Sequence, residues 1–206
     1  MYCSQCNCEF PDWIKDCPDC NRPLNFTPAV FESKTNNKLS YDFLMDLLRN
    51  NGGEIETELI TTETGEKKKW NFPYFGYGFA WTKKLENIEK NITVELATSK
   101  VGMLKKSLFP FAGYGFAWAK EMTGFINGNK FTLLATKVEM QKKLAFPYFG
   151  FGYAWTKEMQ GKCGNNIILK YINTEVEKKR KWEFPYQGYG FAWNKKGILK
   201  IQLESM

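Results

Sequence analysis

The sequence contains no histidine, and no aspartate follows Asp46. Without imidazole there is no His-based triad, no imidazole proton relay and no neutral nitrogen ligand for a metal. Beyond residue 46 only Glu, Lys, Tyr and Cys163 remain as candidates for acid–base or nucleophilic chemistry. Cys163 stands between Gly161 and Gly164, so it reads as an exposed loop thiol with no activating partner. Catalysis is therefore not expected. No apolar run is long enough for a membrane-spanning helix. The opening MYCSQCNCEF has no basic stretch leading into an apolar one, so neither a leader peptide nor a membrane partner is expected.

What the chain does have is a decapeptide written four times. FPYFGYGFAW begins at Phe72, FPFAGYGFAW at Phe109, FPYFGFGYAW at Phe146 and FPYQGYGFAW at Phe184, at spacings of 37, 37 and 38 residues. Such a unit cannot bury an aromatic face alone and must stack on its neighbours. With 43% hydrophobic and 17% aromatic residues the chain has enough apolar surface for a packed core.

Each unit reads as β. The upstream segments EIETELITTET, NITVELATSKV, KFTLLATKVEM and NIILKYINTEV alternate Ile, Val, Leu and Thr with polar residues. A basic stretch follows, then the aromatic strand, closed by Trp-x-Lys. Two or three strands per unit and no helix are expected. In an extended aromatic strand Phe75, Tyr77, Phe79 and Trp81 share one face, and Gly76, Gly78 and Ala80 share the other. Glycine inside a strand is unfavourable unless another backbone approaches closely. Curvature around a closed ring accounts for it, with Pro73, Pro110, Pro147 and Pro185 at strand entries or bends. The segment from Gly197 to Leu203 resembles the first strand of a further unit, and pairing it with 55–60 would remove both sheet edges. The expected fold is mainly β, four repeats of about 37 residues forming a closed toroid, either a small propeller or a barrel of hairpins. An open array of the same units is the alternative.

Charge is segregated. Residues 1–50 hold five Lys/Arg against seven Asp/Glu, and residues 51–206 hold 24 against 15. A basic repeat region with interleaved aromatics suits polyanions such as nucleic acid, phosphates or acidic proteins. The candidate contacts are Lys68, Lys106, Lys143 and Arg180 before the aromatic strand, and Lys83, Lys120, Lys157 and Lys195 after each Trp. Position 75 varies between units (Phe75, Ala112, Phe149, Gln187), which makes Phe75, Phe149 and Gln187 candidate rim contacts. Tyr77, Phe79 and Trp81 with their equivalents read as core. A lysine-rich surface that serves only solubility explains the same charge.

Five of the six cysteines lie within the first twenty residues. Cys3-Ser-Gln-Cys6 and Cys17-Pro-Asp-Cys20 are two CxxC turns separated by ten residues, and four thiolates in this arrangement match a closed, structural Zn²⁺ site. Residues 1–24 resemble the short zinc-ribbon family, which implies ligands Cys3, Cys6, Cys17 and Cys20 and no open coordination position. Asn7 and Asn21 stand where such turns commonly carry Gly, and Asn tolerates the same left-handed backbone. Cys8 is a fifth thiol able to replace Cys6, although the CxxC spacing favours Cys6. Clustered CxxC pairs indicate a reducing compartment, so a cytoplasmic location is expected.

Residues 25–38 read as a linker and 39–51 as one helix. Ser40 is its N-cap, Tyr41, Leu44, Met45, Leu47 and Leu48 form one apolar face, and Gly52-Gly53 offer a left-handed C-cap. The helix is expected to pack on the repeat domain (54–206) or cover its end. The leading expectation is a non-catalytic protein that recognises nucleic acid or another phosphate-rich ligand. The alternative is a protein-interaction scaffold engaging partners through the ribbon or the helix.

Overall fold

The upstream β segment and the basic stretch after it form one long strand, because nothing between them breaks the alternation or removes a ladder amide. Each unit thus supplies two strands. The computed structural model describes residues 2–3, 8–9, 41–71, 75–87, 92–108, 112–145, 149–183 and 187–204. Two units divide the chain, at Met1–Asn37 and Lys38–Met206. In the first, β1 (Tyr2–Cys3) and β2 (Cys8–Glu9) pair antiparallel, with Tyr2 opposite Glu9 and Cys3 opposite Cys8. The expected ligands Cys6, Cys17 and Cys20, the cap Ser40 and the four prolines lie outside the described residues.

The second unit holds α1 (Tyr41–Asn50) and eight strands: β3 (Glu54–Asn71), β4 (Phe75–Asn87), β5 (Val94–Leu108), β6 (Ala112–Ile126), β7 (Asn129–Ala145), β8 (Phe149–Cys163), β9 (Ile167–Glu183) and β10 (Gln187–Leu203). They form a closed antiparallel barrel in the order β10-β3-β4-β5-β6-β7-β8-β9. Closure is made by the segment singled out above. Gln202 pairs with Glu54 and Lys196 with Ile60. That segment is no separate strand, however, but the continuation of β10.

The barrel has two dissimilar halves. Ladders within the hairpins β3–β4, β5–β6, β7–β8 and β9–β10 run their whole length. Ladders between hairpins are short: 84–86 with 95–97, 121–126 with 129–134, 158–163 with 167–172 and 196–202 with 54–60. One half is therefore an eight-stranded ring, and the other is four two-stranded ribbons. The boundary is a pair of opposed bulges in every hairpin. Thr62, Ser99, Thr136 and Thr174 are skipped on the outer strand, and Lys83, Lys120, Lys157 and Lys195 on the inner one. Bulges bend and twist a strand locally, which is what redirects the ribbons.

The ring half is filled by one cluster drawn from all eight strands, including Leu59, Leu85, Leu96, Met122, Leu133, Met159, Tyr171 and Leu199. Leu44 and Leu48 of α1 are fully buried in the same cluster. The Tyr41 hydroxyl donates to the Cys163 carbonyl at 3.5 Å and accepts from the Asn166 amide at 3.3 Å, which fixes α1 at this end of the barrel. Gly52 and Gly53 take φ of 74° and 87°, and the Gly53 amide donates to the Leu48 carbonyl at 2.8 Å, the expected left-handed cap. Among the described residues α1 is the one helix.

The fourth unit departs from the others in a compensated way. Leu59, Leu96 and Leu133 correspond to Tyr171, while Leu85, Met122 and Met159 correspond to Gly197. The Tyr171 ring occupies the space a side chain at 197 would need. Its buried hydroxyl accepts a hydrogen bond from Asn194 Nδ2 at 3.2 Å, where other units have Thr or Ala. Three changes, in volume, in space and in polarity, thus answer one another.

In the ribbon half the inner strands β4, β6, β8 and β10 pack in a cycle, large face onto small face. Tyr189, Phe191 and Trp193 of β10 cluster with Ala80 of β4. Tyr77 and Phe79 of β4 cluster with Ala117 of β6. Tyr114 and Phe116 of β6 cluster with Ala154 of β8. Phe151, Tyr153 and Trp155 of β8 cluster with Ala192 of β10. At the centre the second glycines meet. A Cβ on Gly152 would lie 2.5 Å from the Gly115 carbonyl oxygen, on Gly190 2.6 Å from that of Gly152, and on Gly78 2.9 Å from that of Gly190. Gly115 approaches the Gly78 carbonyl more closely still. With hydrogen in place of Cβ, these four approaches become Cα–H···O contacts of about 0.5–1 kcal/mol each.

Substituting Ala at these glycines should destabilise by about 1–3 kcal/mol or more, since the obstacle is backbone and cannot rotate away. The order expected in urea unfolding is Gly115→Ala worst and Gly78→Ala mildest. Equal, small effects at all four would contradict the close approach.

Candidate basic cuff

The residues that carry charge sit on the outer strands, and the register explains their spacing. Counting by the repeat period from Lys68 gives Lys105, Lys142 and Arg180, and these lie opposite Gly78, Gly115, Gly152 and Gly190. Cross-strand partners share a face, so this column stands on the small face, beneath the next ribbon's ring. Lys68 Nζ lies 5.2 Å from the centroid of Tyr189, Lys105 5.3 Å from Tyr77, Lys142 5.8 Å from Tyr114, and the Arg180 guanidinium carbon 5.4 Å from Phe151. Arg180 Nε also donates to the Tyr153 hydroxyl at 3.1 Å. Four cation–π contacts of one geometry brace the cycle; such contacts contribute about 0.5–1 kcal/mol where exposed.

The candidates Lys106 and Lys143 belong to another column. With Lys69 and Lys181 they lie opposite Tyr77, Tyr114, Phe151 and Tyr189, on the other face. All four are exposed. Lys181 approaches Glu66 at 3.3 Å, whereas among the described residues no ion pair engages Lys69, Lys106 or Lys143. Sequence reading merged the two columns because the lysines are adjacent; the 37-, 37- and 38-residue spacing separates them.

Charge is distributed very unevenly along the barrel. Residues 66–71, 103–108, 140–145 and 178–183, the outer-strand ends at the hairpin tips, hold eleven Lys/Arg and two Glu. The inner-strand segments paired with them, 75–80, 112–117, 149–154 and 187–192, hold no charge. The remaining Lys/Arg and Asp/Glu of residues 51–206 number thirteen each. The whole basic excess of the repeat region therefore forms a cuff around one end of the barrel, away from α1.

The lysines after Trp, at the inner-strand bulge, are differently placed. Lys83 pairs with Glu63 at 2.8 Å, Lys195 with Glu175 at 2.7 Å, and Lys157 with Glu139. Lys120 is exposed at the equivalent position. Cross-strand charges at this level are complementary and reversed between units: Glu63 faces Lys84 and Glu175 faces Lys196, but Lys100 faces Glu121 and Lys137 faces Glu158. Exposed pairs of this kind add little stability and instead favour the register. Three of the four post-Trp candidates thus already have a carboxylate partner. Phe75, Phe149 and Gln187 begin their strands, and their side chains lie outside the described residues.

The aromatics read as core are core. Tyr77, Phe79, Tyr114, Phe116, Phe151, Tyr153, Tyr189 and Phe191 are at most 4% exposed, while Trp81 and Trp118 are half-buried. The four Trp with Thr82, Ala119, Thr156 and Asn194 line crevices too narrow to seat a water. Thr156 Oγ1 donates to the Ala119 carbonyl at 2.6 Å, and the Asn194 amide donates to Thr82 Oγ1 at 3.0 Å, so hydroxyls there tie neighbouring inner strands together.

Cys163 corrects an expectation. It ends β8 rather than sitting in a loop and is buried in the ring core, where desolvation pushes its thiol pKa up, the opposite of an activated nucleophile. Among the described residues no cluster of potential metal ligands occurs, and no helix is long and apolar enough to cross a membrane. In comparisons with known proteins, no family model, no curated protein and no solved structure matches the chain.

Lysine hydrogen bonds hold the carboxyls of Glu63, Glu121 and Glu175 below their ordinary value of 4.5, and glutamate partners raise Lys84, Lys157, Lys195 and Lys200 above 10.5. The depressed carboxylates contribute stability above pH 4.5 that is lost as pH falls through their lowered values. The raised lysines contribute below pH 10.5 and lose it as pH rises through theirs. With no histidine between, the barrel's melting temperature should be flat from about pH 6 to 9. A titration step near neutrality would contradict this assignment.

Proposed function

We propose that the chain is a non-catalytic, cytoplasmic binding protein that recognises nucleic acid or another phosphate-rich ligand through the basic cuff. One observation carries the reading: eleven cations against two carboxylates at the barrel's hairpin end, with charge balanced in the rest of residues 51–206. Repulsion among like charges opposes such segregation, and a polyanion relieves it. Solubility alone would be served as well by scattered lysines. The cyclic packing of inner strands supports reading the repeats as a four-unit toroid, which displays the cations on four sides.

In the scaffold reading a partner at α1 would meet its outer face, because Leu44 and Leu48 are committed to the barrel core while Phe43 is exposed. Its other surface is residues 1–24. There Cys3, Cys6, Cys17 and Cys20 are proposed to hold one structural Zn²⁺. The antiparallel pairing of Cys3 with Cys8 supports this, because it returns the chain across the first CxxC. Bound zinc would fold a segment too small to have a core of its own.

Two measurements test these readings. Fluorescence anisotropy with labelled oligonucleotides and with inorganic polyphosphate should show binding at low salt that weakens steeply as salt rises. No binding to either polyanion at low salt would end the polyanion reading. Elemental analysis of protein purified without chelator should find about one zinc per chain, lost in Cys17→Ser/Cys20→Ser. Zinc-free protein with an intact N-terminal fold would refute the ligand assignment.

A further inference from the structure

Within the cuff the two cationic columns have different surroundings. Lys68, Lys105, Lys142 and Arg180 lie over the first ring of the neighbouring ribbon at 5.2–5.8 Å. Those rings, Tyr189, Tyr77, Tyr114 and Phe151, are at most 4% exposed. Neutralising this column removes cover from buried aromatics. Lys69, Lys106, Lys143 and Lys181 stand on the opposite face of each ribbon, one per unit; both columns are exposed, and within the second Lys181 also lies 5.4 Å from the centroid of Phe191. Glu66 near Lys181 is the one carboxylate that pairs with this column among the described residues.

We infer that the cuff divides its work: the column over the rings braces the barrel, and Lys69, Lys106, Lys143 and Lys181 contact the phosphates of double-helical nucleic acid without reading base sequence. The inference rests on the polyanion reading and narrows it. A single-strand binder needs open aromatic faces on which bases stack. Every described inner-strand ring at this end is instead buried against the next strand's glycines. Base-edge readout across different base pairs draws on a mixture of Arg, Lys, Asn, Gln and acidic side chains directed into a groove. The column away from the rings' small-face neighbours, Lys69, Lys106, Lys143 and Lys181, offers lysine alone, a point charge on a flexible stem suited to backbone phosphate. Duplex offers the densest row of such phosphates, about one charge per 1.7 Å of axis.

The experiment uses the full chain and short labelled duplexes of two unrelated sequences, a single strand of equal length, and vesicles containing phosphatidylserine. Two variants are compared with the parent. The first carries Lys69→Gln, Lys106→Gln, Lys143→Gln and Lys181→Gln; the second carries Lys68→Met, Lys105→Met and Lys142→Met. The expected result is equal affinity for both duplexes and weaker binding of the single strand. The first variant should keep its melting temperature, bind duplex at least about tenfold more weakly, and lose about 0.9 per lysine from the slope of log K against log salt. The second should melt lower and retain most of the salt slope. The inference is overturned by any of three results: a single strand bound more tightly than duplex, affinity that depends on duplex sequence, or a salt slope that follows the second variant rather than the first. Binding to vesicles but to neither nucleic acid overturns it as well. If the parent also ignores inorganic polyphosphate, the polyanion reading falls with it; if polyphosphate binds, that reading stands without this one.

Discussion

The barrel depends on one contact made four times: an aromatic face laid on a glycine-bearing backbone. Each inner strand offers rings to one neighbour and Gly-x-Gly-x-Ala to the other, so the contact is directional and head-to-tail. A head-to-tail contact either propagates or closes. Here the strands close into a barrel, and the carbonyls of Gly78, Gly115, Gly152 and Gly190 each face the next glycine's Cα. Glycine is needed there for the distance between backbones. The ladder alone would not hold the ribbons together, because hydrogen bonding between hairpins stops at the bulges.

Much of this was legible in the sequence. Alternation assigned the rings and the small residues to opposite faces, and the glycine column implied a backbone crowded against it. The partial fifth unit at 197–203 pointed to closure with 55–60. Other features were not legible, for definite reasons. A basic run with no breaker looks like a connecting stretch until its partner strand is known, so the length of β3, β5, β7 and β9 was missed. Adjacent lysines on a strand point to opposite faces, so one apparent cluster concealed two columns. Cys163 between glycines resembles a loop residue, but Gly161 is a strand position where a Cβ would crowd the Thr132 carbonyl.

Departures from exact repetition are informative because each is answered nearby. Tyr171 is accommodated by Gly197 and satisfied by Asn194, and the cross-strand Glu/Lys order reverses on both strands together. Such compensation ties the register to the side chains of each unit. It also separates structural charge from the cuff: the bulge-level charges balance, and the hairpin-end segments carry eleven cations against two carboxylates. The proposed polyanion surface on a closed barrel would need no interior cavity, which agrees with inner strands whose glycine backbones meet at the centre.

The closed cycle of glycines is tested most directly by NMR, from contacts between Cα protons of successive inner strands. The account predicts cross-peaks linking Gly78 to Gly115, Gly115 to Gly152, Gly152 to Gly190 and Gly190 back to Gly78. Finding the first three without the last would mean an open stack of hairpins, and the barrel described here would be wrong.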